Sequence, residues 1–191
     1  MFTGIVETTG EVLDAREETG GRRLRIGTEF DDLSRGQSVS VSGVCLTVEE
    51  HDADHFEVFL AAETVERTYL GNLRPGDAVN VERAMPADGR FDGHVVQGHV
   101  DATTEITAIE EVGEDWRFAF ALGDDWGRYL VEKGSVALDG VSLTVADLGA
   151  DAFEVAIVPE TYAVTTLGEK SVGDPVHVEV DVLAKYVETL C

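Results

Sequence analysis

A thiol, a hydroxyl, an imidazole and a carboxylate are the groups best placed for chemistry in this sequence, and a repeat sets them in pairs. Gly43-Val44-Cys45-Leu46-Thr47-Val48 recurs as Gly140-Val141-Ser142-Leu143-Thr144-Val145, 97 residues on and without a gap. Aligning 43–84 with 140–181 gives 20 identities in 42 positions, far beyond chance. The starts of the halves correspond at an offset of 94. There Gly4-Ile5-Val6 falls on Gly98-His99-Val100, and Glu11 on Glu105. At matched positions the chemistry differs: Cys45 against Ser142, Ile5 against His99, Ala84 against Asp181. A duplicated fold offers two similar pockets, which suits a reaction consuming two identical molecules. The differences then break the symmetry between them. Drift after duplication would leave the same differences with no chemical role.

The elements that must position these groups read as β structure. Val39-Ser40-Val41-Ser42, Phe56-Glu57-Val58-Phe59, Val79-Asn80-Val81-Glu82 and the run Val176 to Asp181 alternate apolar and polar residues, as half-buried strands do. Arg74-Pro75-Gly76-Asp77 and Val172-Gly173-Asp174-Pro175 are turn signals between strands. Many short strands at this spacing predict a sandwich or small barrel in each half. Short helical turns are expected over Thr64–Tyr69, Thr161–Thr166 and Trp126–Glu132. The spacing of Val182, Leu183, Val187 and Leu190 predicts a short C-terminal helix. The domains are read as 1–88 and 94–181 with a helix over 182–191, joined by a turn-rich linker at Met85–Arg90.

Composition excludes several classes of function. The 191 residues are 43% hydrophobic, enough for a buried core. No apolar run approaches the ~20 residues a membrane span needs, and the opening residues lack the basic and apolar regions of a signal peptide. A cytoplasmic location is therefore expected. Two cysteines, Cys45 and Cys191, cannot make a disulfide framework. The formal net charge is −24, from 38 acidic and 14 basic residues, which excludes a nucleic-acid partner. The acids are spread along the chain, and we read them as a solvated surface suited to a salt-rich cytoplasm. An ordinary acidic enzyme is the other reading.

Generic catalytic motifs are absent: no phosphate loop, dinucleotide fingerprint, nucleophile elbow or zincin helix occurs. His51 and His55 sit four apart among acids in an expected loop, and His94 and His99 five apart in a Gly-rich segment. Neither spacing makes a metal site, and none is expected.

Taken together, the motifs are specific. Met1-Phe2-Thr3-Gly4-Ile5-Val6-Glu7, Gly43 to Val48, Gly93-His94-Val95-Val96-Gln97-Gly98-His99-Val100, Lys133-Gly134, Asp139 to Val145 and the ending Val178 to Tyr186 occur in this order. The whole chain resembles riboflavin synthase alpha chains. The resemblance implies an all-β fold of tandem duplicated Greek-key β-barrels with a short C-terminal helix. It implies dismutation of two 6,7-dimethyl-8-ribityllumazine molecules without cofactor or metal. One lumazine gives a four-carbon unit to the other, leaving riboflavin and 5-amino-6-ribitylaminopyrimidinedione. It further implies a homotrimer, with the site between the N-terminal barrel of one subunit and the C-terminal barrel of its neighbour, and an association with lumazine synthase.

The resemblance also assigns residues. Cys45, as nucleophile or proton carrier, and His99, Ser142 and Asp181 form the implied catalytic set. Each has an ordinary alternative, which for Cys45 is a small buried apolar residue and for Asp181 a helix N-cap. Implied substrate contacts are Phe2 beside a ring and the backbone of Gly4, Ile5, Val6, Gly98 and Val100. Leu46, Thr47, Leu143 and Thr144 would meet the heterocycles. Lys133 would meet charge developing on the pyrimidinedione. Ala62, Glu63, Thr64, Val65, Glu66 and Arg67 would serve one lumazine, and Val158, Pro159, Glu160, Thr161, Tyr162 and Ala163 the other. Non-catalytic lumazine or flavin antenna proteins of luminous bacteria share the resemblance. The retained set Cys45, His99, Ser142 and Asp181 favours the enzyme over them, and over a plain interaction module. Many family members continue into a longer C-terminal helix, whereas only ten residues follow Asp181 here.

Overall fold

The alternating segments become twelve strands in a computed structural model that describes residues 1–190. Cys191 lies outside the described residues. The first barrel holds β1 (Thr8–Glu18), β2 (Gly21–Gly27), β3 (Ser38–Val41), β4 (Val44–His51), β5 (His55–Ala61) and β6 (Ala78–Arg83). The second holds β7 (Ala102–Val112), β8 (Asp115–Ala121), β9 (Ser135–Leu138), β10 (Val141–Leu148), β11 (Ala152–Ile157) and β12 (Pro175–Val180). Around the first barrel the order is β1-β2-β5-β4-β3-β6, closed and antiparallel, and the second repeats it strand for strand. β2 pairs with β5 across the β3–β4 hairpin, a Greek-key path. Closure removes the free edges that would invite aggregation. Registers slip at Val12/Asp14 and Val48/Glu50, and at the matched Ile106/Ala108 and Val145/Asp147. Such bulges add the local twist a small barrel needs.

Period-two alternation decides which side chains can do chemistry. In β4, Val44, Leu46 and Val48 are buried inside while Cys45 and Thr47 face out. In β10, Val141, Leu143 and Val145 point in, with Ser142 and Thr144 out. The first core is largely aliphatic around Phe56, whereas the second carries Phe118, Phe120, Phe153 and Trp126. Each fully buried Leu, Ile or Phe contributes roughly 1.5–3 kcal/mol.

Helical structure is short. α1 (Ala62–Arg67) and α2 (Pro159–Val164) begin two residues before their predicted starts, and single 3-10 turns follow at Tyr69–Asn72 and Thr166–Gly168. The stretch expected over Trp126–Glu132 is a 3-10 turn at Gly127–Tyr129. α3 (Val182–Leu190) exposes Leu183, Tyr186, Val187 and Leu190 along one side. Among the described residues no helix is long and apolar enough to cross a membrane.

The barrels join along their repeat axis. The hairpins β3–β4 and β9–β10 turn on Ser42-Gly43 and Asp139-Gly140, with all four residues at positive φ, as type I′ turns require. The turns stand back to back: a Cβ on Gly43 would lie 2.7 Å from the nitrogen of Gly140. Two matched side chains then cross the junction. Asn80 donates to the Asp139 carbonyl at 2.9 Å and accepts from the Thr166 amide at 2.8 Å. His177 makes the same pair of bonds in the other direction. Its Nε2 accepts from the Tyr69 amide at 3.0 Å, so Nδ1 carries the proton and donates to the Ser42 carbonyl at 2.8 Å. The ring also stacks on Tyr69 at 3.9 Å.

That arrangement needs a neutral imidazole. Burial holds His177 below the usual imidazole range. The Asp139 carboxylate and the Ser42 carbonyl pull it up, and Lys170 adds to the lowering. Below about pH 6.5 the unfolded chain therefore binds a proton that the folded chain refuses, and stability falls as pH falls. His177→Asn, which copies Asn80, keeps both bonds and cannot titrate. Melting curves from pH 7 to 5 should be flatter for His177→Asn than for the parent, by up to about 1.4 kcal/mol per pH unit. Equal slopes would remove His177 from the acid sensitivity.

Candidate active site

Cys45 and Thr47 sit on the outer face of β4, whose antiparallel pairing with β5 sets Val48 opposite Val58. The start of β4 therefore lies beside the end of β5, where α1 begins. Ser142 and Thr144 stand in the same relation to α2, since Val145 lies opposite Val155. Each barrel thus presents one outward strand face beside one short helix. Ala62, Glu63, Glu66 and Arg67 of α1 are exposed there, as are Val158 and, in α2, Pro159, Glu160 and Ala163. Thr64 and Thr161 are half-buried and accept through their carbonyls from the Thr68 and Thr165 hydroxyls. Val65 anchors α1 on the first core, and Tyr162 anchors α2 by stacking on Trp116 at 3.7 Å.

The leading segment of each repeat crosses to the other barrel. The Gly98 carbonyl accepts the Cys45 amide at 2.8 Å, and the Gly4 carbonyl accepts the Ser142 amide at 2.7 Å. Val100 packs on the first core and Val6 on the second. The two leading segments also bridge one another at Phe2 and Val96. Glycine is required at the crossing points. Gly4 and Gly98 take φ of 77° and 81°, and a Cβ would stand 2.7 Å from that of Ser142 and 2.6 Å from that of Cys45.

This crossing sorts the reactive groups. Cys45 and Thr47 share their surface with the segment bearing His99, which is exposed. Ser142 and Thr144 share theirs with the segment bearing Ile5, also exposed. Ser142 has a further partner: His94 Nδ1 lies 2.7 Å from its Oγ. Burial holds His94 below the usual imidazole range, and the nearby Asp181 carboxylate offsets part of that. The ring is therefore neutral at pH 7. Nε2 is buried without a partner; in the tautomer that carries hydrogen there, Nδ1 accepts from the serine hydroxyl. An imidazole that can take a proton from a hydroxyl, and that holds an unspent donor, has the equipment of a general base. Asp181 caps α3 as well, its Oδ1 accepting the Leu183 amide at 2.9 Å.

Three expected contacts, Phe2, Leu46 and Leu143, are placed differently. Phe2 is fully buried with Val96 and Ala137, against Cys45 and Ala84; its ring is covered and offers no face to a ligand. Leu46 and Leu143 point into the cores, so only their backbones can touch a heterocycle. Lys133 is exposed, its Nζ on the Ala146 carbonyl at 3.2 Å. Its φ is 65°, where the first repeat has Gly36 at 86°. A lysine held in a left-handed conformation that glycine takes without strain is characteristic of functional positions. Comparing matched positions passes over His94, because it falls ahead of the aligned stretch; its place in the Gly-His segment was the available signal. His55 pairs with Asp52 at 2.9 Å, and among the described residues no His, Cys, Asp and Glu cluster could hold a metal. A cavity of about 580 Å³ near the linker takes in Ile5 but not Cys45, Thr47, Ser142 or Thr144.

The chain is similar to known proteins over its whole length. The profile of the lumazine binding domain matches residues 3–84 and again 97–181. The riboflavin synthase of Mycobacterium tuberculosis (strain ATCC 25618 / H37Rv) is 48% identical over 197 residues, spanning 100% of this chain and 98% of its own. The chain belongs to the riboflavin synthase family. Its membership extends across distant sources. The riboflavin synthase of Bacillus subtilis (strain 168) is 40% identical, with 98% of this chain and 88% of the relative covered. That of Schizosaccharomyces pombe is also 40% identical, over 100% and 93%. Among solved structures, LumP complexed with 6,7-dimethyl-8-(1'-D-ribityl) lumazine superposes with a TM-score of 0.85 at 20% identity, covering 94% of this chain and 99% of that one. At that identity the likeness is one of fold.

Proposed function

We propose that the chain is a riboflavin synthase, dismutating two 6,7-dimethyl-8-ribityllumazine molecules to riboflavin and 5-amino-6-ribitylaminopyrimidinedione. The carrying observation is that two equivalent surfaces hold unlike chemistry: Cys45 with the His99 segment on one, Ser142 with His94 and Asp181 on the other. Each surface takes one lumazine. Thr47 and Thr144, α1 and α2, and the backbones of residues 4–6 and 98–100 orient the rings. Such orientation supplies much of the acceleration in a two-substrate reaction. The substrate's C7 methyl is acidic because its carbanion delocalises into the ring, so a base removes that proton; Ser142 with His94 fits that task. Cys45 or water adds to the other ring, and Lys133 meets the charge left on the departing pyrimidinedione.

Incubation with 6,7-dimethyl-8-ribityllumazine alone tests this, read by absorbance of riboflavin. Catalytic formation with no additive is expected. Tight lumazine binding without turnover would move the chain to the antenna class, which LumP's fold keeps in view.

The proposal includes a cytoplasmic homotrimer, with one subunit's N-terminal barrel facing its neighbour's C-terminal barrel, and association with lumazine synthase. The apolar stripe Leu183, Tyr186, Val187 and Leu190 of α3 supports assembly. Dilution should then lower specific activity as the oligomer dissociates, measured beside sedimentation; full activity in a demonstrated monomer would refute the shared site.

The proposal also includes salt adaptation. A charge of −24 implies repulsion that screening relieves, since the Debye length falls from ~10 Å at 0.1 M to ~3 Å at 1 M. The melting temperature should rise from low to molar KCl, and a flat curve would remove this part.

A further inference from the structure

Two buried carboxylates stand behind the crossing segments. Glu82, on β6, accepts the Thr3 amide at 2.8 Å, the Thr3 hydroxyl at 3.1 Å and the Gly4 amide at 3.2 Å. Glu179, its match on β12, accepts the amides of Gln97, Gly98 and His99 at 2.6, 2.8 and 2.9 Å. Both side chains are closed off from solvent, at 5% and 4% exposure. The segments they hold end in the glycine carbonyls that receive Ser142 and Cys45. We infer that Glu82 and Glu179 are positioning residues acting crosswise: each fixes its own barrel's leading segment, and through it the reactive side chain of the other barrel. Glu82 thus sets Ser142, and Glu179 sets Cys45. This inference rests on the riboflavin synthase reading for its consequence, and on geometry alone for its existence.

Three observations favour positioning over simple scaffolding. Only a carboxylate supplies two oxygens with four acceptor sites and no donor, and here three donors converge on each. Burying anions in a chain of net charge −24 is costly: burial pushes the Glu82 carboxyl up to about 7, and that of Glu179 up as well, against the pull of the donors. A regular strand pairing would satisfy the same backbone with less penalty. The repeats have also diverged at Asn80/His177 and Arg83/Val180 on the same strands, and at Ala84/Asp181 just beyond them, while both keep Glu at this position.

The test is hydrogen exchange at the Cys45 and Ser142 amides in parent, Glu82→Gln and Glu179→Gln, at pH 8. Gln keeps the shape but turns one acceptor into a donor that faces other donors. Glu179→Gln should speed exchange at Cys45 tenfold or more while leaving Ser142 within twofold, and Glu82→Gln should do the reverse. The alkylation rate of Cys45 by iodoacetamide should change with Glu179→Gln only. Thr3→Val removes one of the three bonds to Glu82 and should speed Ser142 exchange alone, by a smaller factor; it serves if the Gln variants do not fold. Exchange that rises in a variant's own barrel, rises equally at both amides or does not change would overturn the inference. Riboflavin formation by the parent reports separately on the reaction, so a failed reaction and a failed crossing are told apart.

Discussion

Ser142→Ala and His94→Gln are each expected to lower the single-turnover rate of riboflavin formation by roughly 10²- to 10⁴-fold, the range of a positioned acid–base group. The 2.7 Å bond between Ser142 Oγ and His94 Nδ1 makes them one device. Alanine removes the hydroxyl that would lose its proton to the ring. Glutamine keeps a hydrogen-bonding side chain of similar reach but cannot take that proton. Because the pair acts as a unit, the double variant should be little worse than either single one. Lumazine affinity should change by about one hydrogen bond, ~1 kcal/mol. The pH profile separates chemistry from packing. Parent turnover should fall on the acid side as His94 charges, and that limb should vanish in His94→Gln. Cys45→Ser, at the matched strand position, is expected to cost less, because no imidazole is bonded to the thiol in the way His94 is to Ser142. Parent-like turnover in either Ser142→Ala or His94→Gln would make this bond a packing contact.

Alanine at Gly98 or Gly4 should damage stability and turnover together. Gly76 provides the control: its φ is 98°, yet nothing lies within 4 Å of an added Cβ. Gly76→Ala should therefore report the backbone conformation alone, about 1–2 kcal/mol. Gly98→Ala adds a methyl 2.6 Å from the Cys45 Cβ and 2.8 Å from its nitrogen, and Gly4→Ala meets Ser142 at 2.7 and 2.9 Å. Those are backbone and Cβ atoms with no freedom to swing away. Overpacking costs a further 1–3 kcal/mol, and the strand must move just where the reactive side chain starts. Melting should drop about twice as far as in Gly76→Ala, with loss of turnover in both. Equal shifts in all three would mean that the segments have room to give.

Much of this architecture is legible in the sequence, for a physical reason. Strand periodicity is two, so once Gly43–Val48 is recognised as a strand, burying Val44, Leu46 and Val48 obliges Cys45 and Thr47 to face out. The duplication then places Ser142 and Thr144 without further information. What escapes is whatever depends on the second barrel. Nothing local says that Val6 packs on the second core or Val100 on the first. Phe2 reads as a ring available to a ligand until its neighbours Val96 and Ala137 close over it. His94 acquires meaning only when a chain reversal brings it beside Ser142, 48 residues away. Lys133 reveals itself through its backbone angle, which composition does not record. α1 and α2 start earlier than expected because the end of the preceding strand, and not a capping side chain, launches them.

The exchange of leading segments also bears on ancestry. A lone barrel of this kind would have no neighbour's glycine to steady its outward strand, so a single-barrel ancestor would have met that need by pairing with a copy of itself, each lending its first residues to the other. Such a homodimer has identical halves: any change in one cleft is imposed on both. Two barrels encoded in one chain are free of that constraint. A thiol can then stand on one side and a hydroxyl on the other, and Ala84 can differ from Asp181. Division of labour between two copies of one substrate is open to selection only where the two clefts are encoded separately.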